Sequence, residues 1–93
     1  MKAPEAREIG LVSHLAPHGE ALAKAREIAA AICANGPLAV QAVLRSLRET
    51  EGLPEADALK VELQIGQPIF ATEDAREGPT AFAQKRKPEF KGR

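Results

Sequence analysis

The sequence contains no tryptophan and no tyrosine, and only three phenylalanines among 93 residues. So few aromatics leave little surface for gripping a flat ligand. The apolar side chains are mostly Ala, Leu, Ile and Val, which suits closely packed helices. A single cysteine, Cys33, excludes an intramolecular disulfide and fits a reducing compartment. Neither sign of charge is in excess: thirteen basic and thirteen acidic side chains cancel, which argues against a nucleic-acid binder driven by overall charge. No run of apolar residues approaches membrane-spanning length, and the opening MKAPEAREIG has no apolar core of a signal peptide. The apolar fraction, 44%, is that of an ordinary folded protein. A soluble, cytoplasmic chain of at most one domain is expected, near the size at which a single core becomes marginal.

Helical periodicity dominates what is present. Pro4 suits the first turn of a short helix over Glu5 to Ile9, which Gly10 stops. Leu11 to Leu15 is β-permissive but short, an extended link or an edge strand, and Ala16-Pro17-His18-Gly19 is a turn. Leu22, Ala25, Ile28, Ala29 and Ile32 then follow helical spacing. Asn35-Gly36-Pro37 closes that helix, through a left-handed Asn35 or Gly36, and starts the next. The next helix carries Val40, Val43, Leu44 and Leu47 and stops at Gly52. The two form a helical hairpin over residues 20–52. Pro54 opens a third helix, with Ala56, Leu59, Leu63 and Gly66 on its buried side, which kinks near Pro68 and runs out by residue 71. Thr72 or Asp74 suits the cap of a short helical turn. Gly78-Pro79 begins a last helix over residues 78–88, and residues 89–93 are a basic tail. The fold class is all-α.

Three stretches carry a resemblance. AREIGLVSHLAP near the start, AREIAAAICANGPLAVQAVLRSL in the middle and TEDAREGPTAFAQKRKPEFKGR at the end, in this order, resemble the C-terminal helical region of the enoyl-CoA hydratase/isomerase (crotonase) family. The resemblance spans essentially the whole chain. It implies a part of an enzyme of fatty-acyl-CoA metabolism whose parent reaction is hydration of a 2-enoyl-CoA. It also implies that this part serves subunit assembly and contributes to the site for the CoA nucleotide. The family's ββα turns are missing. They present the paired N–H groups that bind the thioester oxygen and the glutamates that move protons. The 93-residue chain is therefore expected to be a fragment, an inactive one, with Met1 an internal methionine or an alternative start.

No catalytic residue is carried over. The thirteen acidic side chains read as solvated helix faces, and none matches a catalytic position of the family. Phe82 and Lys85 lie three apart on the expected last helix, with Arg86 four from Phe82, so an aromatic face stands beside two cations. The resemblance places the corresponding Phe and Lys near the adenine end of CoA. The competing role for Phe82 is packing on the helical hairpin. No separate cofactor is implied, since CoA belongs to the substrate. His14 and His18 are four apart, but Pro17 breaks the helical register between them and no further ligands are near, so no metal site is expected. Cys33, in an Ala/Ile-rich helix, is expected to be a small buried thiol. The tail KRKPEFKGR reads as a flexible soluble end rather than a polyanion-binding arm.

Three functions compete at this stage: the crotonase C-terminal segment, a free-standing helical interaction module with a basic tail, and a nucleic-acid-associated protein using that tail. Total charge disfavours the last, and the three stretches in register favour the first. The partners expected are an acyl-CoA and further copies of the chain, as dimer or trimer. Neither nucleic acid nor a membrane is expected as a partner.

Overall fold

The computed structural model describes residues 1–93 and is helical throughout, with no strand. The chain divides into two compact units, Met1–Ala31 and Ile32–Arg93.

In the first unit, helix α1 (Ala3–Glu8) has Pro4 in its first turn, where the missing amide hydrogen is harmless. Its end is a Schellman closure. Leu11 N–H donates to Ala6 O (2.9 Å), Gly10 N–H donates to Arg7 O (3.1 Å), and Gly10 sits at φ 77°. Residues 11–15 form no ladder and are a link. Helix α2 (Ala21–Cys33) follows, and its last two residues fall in the second unit. Neither Asn35 nor Gly36 adopts the left-handed conformation expected of them. Asn35 instead closes α2 with two N–H groups, from its backbone and its side-chain amide, each 3.1 Å from Ile32 O. Cys33 is exposed rather than buried.

In the second unit, α3 (Pro37–Glu49) packs on α4 (Glu55–Gly66). The contact uses faces other than the ones the apolar stripes suggest. On α4 the screened positions are Ala58, Val61 and Ile65, while Ala56, Leu59 and Leu63 are open. On α3 the half-buried positions include Ala42 and Ser46, which meet Ile65 and Gly66 across a small crevice. The small Ala42, Ser46 and Gly66 leave room between the helices, and Ile65 fills part of it. Val43, Leu44 and Leu47 are left exposed.

Beyond Gly66 the chain tightens into a 3-10 turn over Gln67–Ala71. Pro68 has no N–H for an α-helical bond, which is the reason the wide helix gives way there. This turn touches α3, α4 and α5, and so joins the unit. Helix α5 (Glu73–Ala83) starts five residues earlier than Gly78-Pro79 suggests. Thr72 caps it, accepting Ala75 N–H at 3.1 Å while donating its own hydroxyl to Ile69 O at 2.7 Å. Glu73 and Asp74 favour the first turn through the helix dipole. Pro79 lies inside the helix, and the Thr80 hydroxyl donates to Arg76 O (2.7 Å) across the interrupted turn. The helix ends at Ala83, so it stops short of residue 88.

The core is nearly absent. Only Ile65 (7%) and Ala81 (0%) are buried hydrophobics, and fifteen large hydrophobic side chains are exposed, from Met1 to Phe82. Leu22 and Ile32 on α2, Val43, Leu44 and Leu47 on α3, and Leu59 and Leu63 on α4 are exposed, while Ile28 and Val40 are half-buried.

Candidate functional site: the end of helix α5 and the C-terminal strap

The last turn of α5 ends in the same six-residue closure as α1, with a different residue at its turning point. Arg86 N–H donates to Ala81 O (3.0 Å) and Lys85 N–H to Phe82 O (3.1 Å). Lys85 sits at φ 54°, the only positive φ outside glycine in the chain. At the equivalent point α1 has Gly10. A left-handed conformation costs an L-residue roughly 1–2 kcal/mol, which glycine avoids. Lys85 is thus off the helix rather than on it. It meets Phe82 through the backbone closure, not through the i, i+3 face expected of a continuing helix.

The tail is no flexible end. Asp74, 6% exposed, accepts Lys91 N–H at Oδ1 and Gly92 N–H at Oδ2, both 2.7 Å, while its own N–H donates to Arg93 O at 3.1 Å. The Arg93 side chain reaches Glu73 at 3.0 Å. Phe90, half-buried, lies over Gly36 and Gly78, its ring carbons 3.7–3.9 Å from where a Cβ would stand on either. Residues 88–93 therefore form a strap tying α5 to the start of α3. Beneath it lies a cleft of about 260 Å³ lined by Leu38, Ile69, Thr72, Gly78, Pro79 and Phe90 among others.

Glu77 is the second anchor. Its carboxylate takes the Arg86 guanidinium at both oxygens, the outer bond being Nη2 to Oε2 at 2.9 Å, and accepts Glu89 N–H at 2.8 Å. The Arg86 hydrogen bond, with the Glu89 amide behind it, holds the Glu77 carboxyl at about 2, well below its ordinary 4.5. The same pairing raises Arg86 above its usual value. Arg86 is thus consumed within the chain and does not stand free beside Phe82.

Of the residues singled out from sequence, Phe82 is 87% exposed and packs on nothing, and Lys85 is exposed. The structure brings them to one helix end. Neither lines the cleft under the strap or the polar hollow beside Glu73, Asp74 and Glu77. No group of three or more His, Cys, Asp or Glu side chains is placed to hold a metal. No single helix is long and apolar enough to cross a membrane. Asp74 and Glu77, counted from sequence among solvated faces, are instead the two anchors of the strap. Their partners lie nine to eighteen residues away, beyond the reach of periodicity.

The sequence profile of the enoyl-CoA hydratase/isomerase family matches residues 1–93, the whole chain. The chain belongs to that family. Among its relatives, enoyl-CoA hydratase EchA19 of Mycobacterium tuberculosis is 59% identical over 91 residues, covering 98% of this chain and 34% of that protein. The 2,3-dehydroadipyl-CoA hydratase of Escherichia coli is 40% identical over 91 residues, covering 98% and 36%. Among solved structures, an enoyl-CoA hydratase/isomerase from Mycobacterium abscessus superposes with a TM-score of 0.92 at 43% identity, over 100% of this chain and 39% of that one. An enoyl-CoA hydratase from Mycobacterium tuberculosis gives a TM-score of 0.89 at 41% identity, over 100% and 37%. The chain spans about a third of the length of these relatives. Its all-helical fold agrees with the helical region that the sequence resembles.

Proposed function

We propose that this chain is the C-terminal helical part of an enoyl-CoA hydratase/isomerase-type enzyme that acts on acyl-CoA, with hydration of a 2-enoyl-CoA as the parent reaction. In that enzyme its open apolar faces serve assembly, against the catalytic core and neighbouring subunits, and Phe82 and Lys85 form part of the CoA nucleotide site. A cytoplasmic location goes with this reading. The observation that carries the site is the backbone of Lys85. A long cationic side chain occupies a position where glycine is favoured, three residues after an aromatic ring that is 87% exposed. Strain retained at one residue points to a use for its side chain. An ammonium can neutralise phosphate oxygens, and an open phenyl ring can lie against adenine.

Such contacts are remote from the reacting carbons, so they act on binding rather than on the chemical step. In the full-length enzyme carrying this segment, Lys85→Ala raises KM for a 2-enoyl-CoA about fivefold, roughly 1 kcal/mol, with kcat unchanged. A loss confined to kcat overturns the assignment. The 93-residue chain by itself gives no turnover with a short 2-enoyl-CoA. The paired N–H donors and proton-transferring glutamates that the family uses have no counterpart here, and these supply most of such a rate enhancement. Saturable activity of the purified chain above contaminant level refutes this.

A further inference from the structure

The two closure bonds at the end of α5 are the same as those of α1, yet at Lys85 they must hold a residue that resists the turn. What α5 has in addition is Arg86. Its guanidinium donates to Gln84 Oε1 (2.8 Å) and to Lys87 O (3.1 Å), so one side chain bridges the residues on both sides of Lys85. That guanidinium is fixed at its far end by the Glu77 carboxylate, two turns back along α5. The same carboxylate takes the Glu89 amide, which fixes the chain where it leaves the turn.

We infer that Glu77 is a positioning residue for Lys85: through Arg86 and the Glu89 amide it locks residues 84–89 in the turn that presents the Lys85 ammonium beside Phe82. Glu77 touches no ligand in this arrangement. A free carboxylate near a phosphate site would repel the ligand, and pairing with Arg86 cancels that charge. The inference rests on the nucleotide-site reading of Lys85 given above.

The test uses the full-length enzyme carrying this segment, with Glu77→Gln, Lys85→Ala and the double variant assayed on one 2-enoyl-CoA. Glutamine keeps the shape and can still accept the Glu89 amide, but it loses the charge and one acceptor for Arg86. Glu77→Gln raises KM about threefold with kcat unchanged, and the rise disappears when Lys85 is already alanine. A merely structural role gives the same change in both backgrounds, and that result overturns the inference. An unchanged KM in Glu77→Gln also overturns it. Should Glu77→Gln fail to fold, Arg86→Lys makes the same comparison, since it keeps the charge but loses the planar fork. A normal KM in Lys85→Ala overturns the nucleotide-site reading and this inference with it. A raised KM there, beside a normal one in Glu77→Gln, overturns only the positioning role.

Discussion

Replacing Lys85 by glycine and by alanine separates the strain at this position from its use. Both substitutions remove the ammonium. Only glycine removes the left-handed penalty, because alanine keeps a Cβ against the preceding carbonyl at φ 54°. The penalty relieved is roughly 1–2 kcal/mol, and glycine's greater freedom in the unfolded chain takes back about 0.5–1 kcal/mol. Lys85→Gly should therefore be more stable than Lys85→Ala by about 0.5–1 kcal/mol, and more stable than the native enzyme by a similar amount, since no side-chain partner of Lys85 is lost. For a chain of 150–250 residues 1 kcal/mol corresponds to roughly 2–4 °C in Tm. The assay is a thermal melt of the three full-length proteins beside their KM for a 2-enoyl-CoA. The expected pattern is a higher Tm for glycine alone and a KM about fivefold higher for both variants. A glycine variant no more stable than the alanine variant would show that the turn at Lys85 is not strained. Equal KM in all three would leave the strain without a purpose.

Three further outcomes follow from the packing and the strap. The isolated chain self-associates, because each large aliphatic left open on α3 and α4 is worth roughly 1.5–3 kcal/mol when covered; a well-folded monomer across a wide concentration range in sedimentation, with no ANS binding, refutes this. Asp74→Asn offers one acceptor and one donor to two N–H groups that now share two acceptors, at a cost of about 2 kcal/mol; the strap then becomes accessible to carboxypeptidase, and unchanged resistance sinks the idea. Glu77 has its folded value depressed to about 2 from 4.5. Its contribution is therefore fully present above about pH 4.5 and is lost as pH falls through about 2. The Glu89 amide resonance should titrate with that lower midpoint, and one near 4.5 would mean that the Arg86 pairing is not held in solution.

The helical class was readable because its signals are local: the spacing of Ile28 and Ile32, Pro37 at a helix start, and the Pro68 break each act within a turn or two. Which face of a helix is covered was not readable in the same way. Leu59 and Leu63 form a bulky apolar stripe, yet the screened positions of α4 are Ala58, Val61 and Ile65, and it is Ile65 and Gly66 that meet α3. Periodicity finds an apolar face and says nothing of what lies on it. Gly78-Pro79 suggests a later start for α5 because proline at a helix start is the commoner arrangement, whereas Thr72 caps the helix five residues earlier and Pro79 lies within it. Phe82 and Lys85 were found as a pair, but by a continuing helical face that does not exist. The strap itself, made of bonds between positions 74 and 92 or 77 and 89, has no local signal at all.

The final stretch of the chain is best understood by asking which of its marked residues have partners. Asp74 is engaged by the amides of Lys91 and Gly92, and Glu77 by Arg86 and the amide of Glu89. Gly78 leaves room for the ring of Phe90, which also covers Gly36 at the joint before α3. Arg86 binds Glu77, Gln84 and Lys87. These residues are accounted for by the strap, and they would be needed to hold α5 whatever the protein bound. Phe82, 87% exposed, and Lys85, in its left-handed turn, are among the side chains of this stretch that no hydrogen bond or ion pair of the fold engages. An exposed phenyl ring and a left-handed lysine both carry a cost in an isolated fold; the closure bonds and the Arg86–Glu77 pair hold the lysine's backbone, but they give neither side chain a contact. The proposed nucleotide site would give both a use, since an open phenyl ring can lie against a flat base and an ammonium can neutralise its phosphates.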